Sequence, residues 1–201
     1  MPQTEHVFRL SGLLPATRYA YALELDGQPL YTSAALRFRT HPPPGAAEPF
    51  RLFAWGDSGT ATAGQFRVAQ RMANELNGAA FSLILGDIIY QDGHPLEYDP
   101  KFFRPYAALT SRMVIWPVVG NHDVLFDPSG QPWMDAFHTP ANNPLFTELY
   151  YSFDYANAHV VVLDTHVTLD AAIALYRSSG YVEIEPYNDN DDAGLWFAKP
   201  L

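Results

Sequence analysis

The chain has 201 residues, 48% of them hydrophobic, which predicts a soluble globule with one main domain and room for a small appendage. Twelve basic residues against 22 acidic ones give a net charge of −10, which argues against a nucleic-acid partner. No cysteine is present, so a metal would need oxygen or imidazole ligands. We also expect no membrane association, because no signal peptide or transmembrane span is recognisable in the sequence.

Residues 1–40 predict a small β unit. The segment "RYAYALELDGQPLY" alternates apolar and polar residues around the turn formed by Asp26 and Gly27, which indicates a hairpin. Further strands are expected in "HVFRLSGL" and in "ALRFRT". The stretch "LSGLLPATRYAYAL" resembles the later half of a fibronectin type III module, and the alternative is a generic hairpin packed on the next domain. The proline-rich residues 41–49 predict a stiff linker.

Residues 50–165 predict a layered α/β domain. The segments "FRLFAW", "FSLIL" and "MVIWPVV" are short apolar runs, as in strands buried on both faces. A helix is expected between the first two, with an apolar stripe that includes Phe66, Ala69 and Met72, and another is expected to begin near Asp99. Strands that alternate with helices favour a parallel sheet.

Each of the three apolar runs ends in glycine followed by an oxygen-bearing side chain. These side chains are Asp57, Asp87 and Asn121, and Tyr90 follows three residues after Asp87. Ligand sites of α/β sheets lie beyond the carboxyl ends of the strands, so we expect these residues to converge. A bridging carboxylate, a second carboxylate, a phenolate and an amide oxygen suit a pair of hard metal ions, with Asp87 as the bridge and Tyr90 as a ligand.

The motifs GDxG, GDxxY and GNHD, in this order behind apolar strands, resemble those of the purple acid phosphatases within the metallophosphoesterase superfamily. The resemblance implies a dinuclear centre of Fe with Fe, Zn or Mn that hydrolyses a small-molecule phosphate ester. It makes Asp57 a ligand of one ion, Asp87 the bridge, Tyr90 the phenolate on the ferric-type ion and Asn121 a ligand of the second. His122 would face the phosphate as the catalytic residue. Relatives of this type are often secreted or periplasmic.

The resemblance then breaks, because the later histidine motifs of that family, a VxxH-like stretch and a GHxH motif, are absent after residue 123. Both metal ions would lack nitrogen ligands, so we expect an incomplete centre with weak or no activity. His94 and His138 lie in polar loops and are expected to be solvated, and His159 begins a strand. His166 follows the end of that strand and is the best substitute ligand.

The final segment, residues 163–201, resembles the C-terminal end of the GNAT N-acetyltransferases, whose last helix carries an "ALY…GY" pattern before a closing hairpin. In that family the tyrosine that matches Tyr176 often protonates the coenzyme A thiolate. The glycine-rich loop that seats the cofactor in the family is absent. We therefore expect residues 166–201 to pack as a helix and a β-hairpin.

Three functional hypotheses follow from the sequence. The first is a metal-dependent phosphoric ester hydrolase with an incomplete site, built on an incomplete metallophosphoesterase-like α/β core behind a small fibronectin-like β fragment. The second is a non-catalytic remnant or binding module, and the third is a fragment of an acyltransferase. A natural fusion, a truncation and an artificial sequence are all compatible with this pattern.

Overall fold

The structure is a computed structural model and describes residues 6–163, 173, 176–178, 180–185 and 196–198. Its strands are β1 (Arg18–Ala20), β2 (Leu23–Leu25), β3 (Gln28–Tyr31), β4 (Arg37–Arg39), β5 (Leu52–Trp55), β6 (Phe81–Leu85), β7 (Ile115–Val118), β8 (Tyr151–Tyr155), β9 (Ala158–Val162), β10 (Val182–Ile184) and β11 (Trp196–Ala198). Its α-helices are α1 (Ala63–Glu75), α2 (Ala107–Thr110) and α3 (Gln131–Ala136). Short 3₁₀ segments occupy Leu76–Gly78, Pro95–Glu97 and His122–Val124, and a π-helical turn occupies Asp99–Phe103.

The N-terminal strands form two separate antiparallel pairs, β1 with β4 and β2 with β3. The strand expected in "HVFRLSGL" is absent from residues 6–13, so that prediction was wrong. Val7 and Phe8 are 63% and 76% exposed there, and without burial the apolar residues have nothing to stabilise an extended strand. The hairpin around Asp26 and Gly27 does form.

Strands β5, β6 and β7 form a parallel sheet in that order, which confirms the predicted α/β class. Alternate residues of a strand point to opposite faces, so one strand serves two cores. Within β6, Ile84 packs into the core on the helical face, whereas Phe81 and Leu83 pack into the core on the other face. The sheet therefore lies between two layers.

The helical layer covers one face of this sheet. Ala69, Met72 and Leu76 of the first helical region pack with Phe102 and Tyr106 in one buried cluster. Phe66, which the sequence placed on the buried stripe of α1, is 43% exposed instead. The neighbouring Gln65 is only 6% exposed and takes the buried position, where its amide bonds to the backbone of Ala61 in a loop and of Lys101 in the π-helical turn.

The β8–β9 hairpin covers the opposite face. Its Phe153 stacks on Trp116 of β7 with ring centroids 4.1 Å apart, and the Tyr151 hydroxyl donates to the Pro117 carbonyl at 2.8 Å. The proline-rich segment also contacts this layer, because the ring of His41 lies 4.9 Å from that of Tyr155 and 5.8 Å from that of Trp116. The start of this segment is thus joined to the core by the ring contacts of His41.

Near the C-terminus, β10 and β11 pair antiparallel, with Val182 opposite Ala198. Most residues of the segment that resembles an acetyltransferase, among them Tyr176's neighbours Ala172 and Leu175, lie outside the described residues. Among the helices that the structure describes, none has both the length and the apolar character needed to cross a bilayer.

The docking of His41 predicts a pH-dependent stability. Burial against the aromatic rings lowers the pKa of His41 below its ordinary value of 6.5, although a hydrogen bond to the Asp154 backbone opposes the shift. Between the lowered folded-state pKa and 6.5 the unfolded chain binds more protons, so stability falls as the pH falls through this window. We expect the free energy of unfolding of the wild type, relative to His41→Asn, to decrease from pH 7 to pH 5 in urea titrations. A difference that is constant with pH would contradict the docking of this imidazole.

Candidate metal centre

The three loops that follow the parallel strands meet at one edge of the sheet. Asp57 follows β5, Asp87 follows β6 and Asn121 follows β7, and parallel strands have their carboxyl ends on the same side. Asp57 and Asp87 both adopt the left-handed backbone conformation, with φ of 55° and 48°. This conformation is uncommon for residues other than glycine, is tolerated by aspartate, and clusters at functional sites.

The hydroxyl group of Tyr90 joins the two carboxylates. It lies 2.8 Å from Asp57 Oδ1 and 2.9 Å from Asp87 Oδ2. A phenol carries one hydrogen, so it cannot give both carboxylates a full hydrogen bond at the same time. Burial, followed by these two hydrogen bonds and the carboxylate charges, raises the pKa of Tyr90. Oxygen atoms of three side chains from two loops therefore converge at this point.

His122 lies against this cluster. Its backbone N–H donates to Asp87 Oδ1 at 3.0 Å, and its ring packs on the Tyr90 ring with centroids 4.6 Å apart. The Nδ1 atom lies 2.6 Å from the Gln91 carbonyl oxygen, which can only accept, so Nδ1 carries a hydrogen. The Nε2 atom is then the ring nitrogen left to contact a ligand. Asn121 is the preceding residue and is exposed at the same edge.

A buried carboxylate ties the second loop to the third. Asp123 is completely buried, and its oxygens accept from the backbone N–H groups of Ile88 at 2.9 Å, Ile89 at 3.2 Å and Gly120 at 2.9 Å. Burial raises the pKa of Asp123 to about 6, although these hydrogen bonds oppose the shift. Sequence reasoning assigned Asp123 no role, and its place after His122 in the GNHD motif was the available signal.

A second support holds the Tyr90 loop from the helical side. The buried Gln65 accepts from the Ala61 N–H at 2.8 Å and donates to the Lys101 carbonyl at 2.6 Å. The Lys101 ammonium in turn contacts the Tyr90 carbonyl oxygen and pairs with Glu97 at 2.7 Å. These contacts link the loop that carries Asp57 with the loop that carries Tyr90. Nothing in the sequence pattern distinguished Gln65 or Lys101 from other helical polar residues.

Two glycines allow the loops to approach each other. A side chain at Gly120 would overlap the backbone nitrogen and Oδ1 of Asp87, and one at Gly59 would overlap the Ile88 carbonyl. The Gly59 carbonyl accepts from the Tyr90 N–H at 2.8 Å. The glycine requirement at these positions therefore comes from close backbone contact.

The donor set fits a hard cation, because carboxylate and phenol oxygens are the ligands such ions prefer. Within the described part of the chain, however, no group of three or more histidine and acidic side chains is placed to hold a metal. His94 accepts from the Leu96 N–H at 3.2 Å, so it caps a 3₁₀ turn where simple solvation was expected. His138 lies near Glu148, and His159 lies 2.7 Å from Asp154. His166 lies outside the described residues.

The buried position of Asp123 predicts a large cost on its removal. In Asp123→Ala, three buried N–H groups lose their acceptor, and we expect the free energy of unfolding to fall by about 2 to 5 kcal/mol. Asp135→Ala removes an exposed carboxylate of α3 and should change it by less than about 0.5 kcal/mol. Equal urea midpoints for the two variants would show that this carboxylate does not support the loops.

Comparison with known proteins shows that the chain is similar to purple acid phosphatases. It is 27% identical over 190 residues to purple acid phosphatase 23 of Arabidopsis thaliana, covering 81% of this chain and 41% of that protein. The chain thus spans about two fifths of the length of this relative. The structure of the purple acid phosphatase PPD1 from seeds of yellow lupin (Lupinus luteus) superposes with a TM-score of 0.57, at 20% identity, over 71% of this chain and 29% of that one.

The fold is therefore similar to that of a purple acid phosphatase, as the motifs predicted. The resemblances of the ends to fibronectin type III and to an acetyltransferase stay predictions, as do the domain boundaries. The family model of the calcineurin-like phosphoesterases matches residues 41–199, which is most of the chain. The chain belongs to the calcineurin-like phosphoesterase family.

Proposed function

We propose that the chain is a metal-dependent phosphoric ester hydrolase of the purple acid phosphatase type, with an incomplete dinuclear centre and weak or no activity. The observation that carries this proposal is the position of the Tyr90 hydroxyl within 2.9 Å of two carboxylates from different loops. Three oxygen ligands at the carboxyl edge of a parallel sheet are the arrangement that the family resemblance implies.

The charge of the cluster favours a cation. Two carboxylates with only one phenolic hydrogen between them repel each other, and a metal ion removes this repulsion. Asp57 and Tyr90 would hold a ferric-type ion, Asp87 would bridge, and Asn121 would hold a second ion, which is Fe, Zn or Mn. When bound, such a pair of ions neutralises phosphate charge and activates a water molecule.

The residues of the chain itself have distinct tasks in this proposal. His122 holds a proton on Nδ1 against the Gln91 carbonyl and thereby directs Nε2 to a phosphate oxygen or a leaving group. Asp123 and Gln65 keep the loops in place through backbone hydrogen bonds. The exposure of Asn121 and the partial exposure of Tyr90 leave the edge open to a small-molecule ester.

One observation favours a non-catalytic binding module as the second candidate. Asp57, Asp87 and the Tyr90 hydroxyl accept or donate several hydrogen bonds within the described part of the chain. None of these hydrogen bonds involves a ring nitrogen of a histidine. Metal analysis of the chain in the presence of excess divalent metal separates the candidates, because about two bound ions per chain are expected of the enzyme and none of the module.

Tyr90 gives a spectroscopic test of metal binding. Ferric loading should produce a visible tyrosinate charge-transfer band, and Tyr90→Phe should abolish it while the far-UV circular dichroism is unchanged. Tyr98→Phe is the matched control, since Tyr98 is a buried phenol that forms no hydrogen bond with its hydroxyl in the described part of the chain. A band that survives in Tyr90→Phe would contradict the proposed ligand.

The lack of nitrogen ligands predicts slow hydrolysis. Turnover of a generic phosphomonoester should be very weak, should require divalent metal in excess over the chain, and should disappear in Asp87→Asn. Asp135→Asn, which alters an exposed carboxylate on α3, should retain the turnover of the phosphomonoester.

Fast turnover at stoichiometric metal would contradict the incomplete centre. It would point to a histidine that completes the site, and His166→Ala would then identify or exclude His166.

A further inference from the structure

A large open groove lies at the opposite end of the sheet from the candidate metal centre. It has a volume of about 1320 Å³ and lies between the N-terminal strands and the residues that precede β5, β6 and β7. Strands of four or five residues separate the two ends of the sheet by roughly 15 Å. We call this the arginine groove, after the charged residues that line it: Arg18, Arg37, Arg39, Arg51, Arg112 and Glu48.

The arginine groove carries a net positive charge, whereas the chain as a whole is negatively charged. Five of the chain's twelve basic residues line it with a single acidic residue, although the net charge of the chain is −10. Guanidinium groups are always charged near neutral pH, so their mutual repulsion persists there.

The strand register brings three of these arginines to one face. Arg18 of β1 lies directly opposite Arg39 of β4, and Arg37 is two residues from Arg39 on the same side. The rings of Tyr19 and Phe38 stack on the other side, with centroids 5.7 Å apart. Like charges directly opposite in an antiparallel pair destabilise the sheet. An anion between them would remove this cost.

The guanidinium groups are available to a ligand. Neither Arg18 nor Arg37 forms an ion pair or a side-chain hydrogen bond with the part of the chain that the structure describes. Arg51 and Arg112 are oriented by single bonds from Nε to the carbonyls of Gly78 at 3.1 Å and Ala108 at 3.0 Å. Both side chains line the groove. Arg39 forms an ion pair with Glu48, with 3.5 Å between Nη2 and Oε1.

We propose that the arginine groove binds a small molecule that carries several phosphate groups. Guanidinium forks match phosphate oxygens in a bidentate geometry, and each phosphate is satisfied by one or two of them. The arginines that line the groove come from β1, from β4, from just before β5 and from the turn before β7, so they offer partners to more than one phosphate group. The volume likewise exceeds the need of a single oxyanion. The groove is separate from the candidate metal centre and does not depend on its chemistry.

Calorimetric titration of the full chain with tripolyphosphate tests the proposal, with a chelator present so that no metal ion mediates binding. We expect tripolyphosphate to bind at least tenfold more tightly than orthophosphate, and to bind more weakly as salt screens the groove. Arg18→Gln combined with Arg37→Gln should weaken binding at least tenfold. This double variant should fold, because it relieves repulsion between like charges, and its thermal unfolding is measured alongside.

Matched variants decide whether the effect is local. Arg67→Gln combined with Arg71→Gln removes the same charge from the exposed side of α1 and should change the affinity less than twofold. Asp87→Asn should leave it unchanged, which separates this groove from the metal centre. Equal weakening by the two arginine pairs, loss of binding in Asp87→Asn, or tighter binding of hexaglutamate than of tripolyphosphate would each overturn the proposal.

Discussion

The parallel pairing of β5, β6 and β7 is the constraint on which the rest of the structure depends. Asp57, Asp87 and Asn121 are about thirty residues apart in sequence, and only a sheet with all its carboxyl ends at one edge brings them together. The buried faces of the sheet fix this pairing, because a shift by one residue would turn Ile84 and Phe81 toward the wrong layers. Packing on both faces therefore determines where the polar loops lie.

The loops are then fixed by polar groups that face inward. Asp123 satisfies backbone donors of two loops with one carboxylate, and its burial is tolerated because three N–H groups replace the lost water. Gln65 acts similarly through an uncharged amide between Ala61 and Lys101. Such buried networks hold a geometry more strictly than apolar contacts do, since each hydrogen bond has a direction.

The sequence was sufficient for features that depend on local chemistry. The apolar runs predicted the three parallel strands, and the glycines with oxygen donors predicted the edge where Tyr90 meets Asp57 and Asp87. The sequence was insufficient for features that are determined by contacts between distant parts of the chain. Gln65 takes the buried position expected of Phe66 because its amide bonds to Ala61 and Lys101, and the arginine groove arises only when β1 and β4 pair across the hairpin that separates them in the chain.

The left-handed conformation of Asp57 and Asp87 bears on how this chain can change over evolutionary time. Few residues accept this backbone, and asparagine is among the few that do. A single-base change in the codon converts aspartate to asparagine, and it can therefore remove the charge without disturbing the turn. The scaffold can lose these two carboxylates one at a time and regain them later, while the selection that preserves its fold stays separate from the selection that acts on these two side chains.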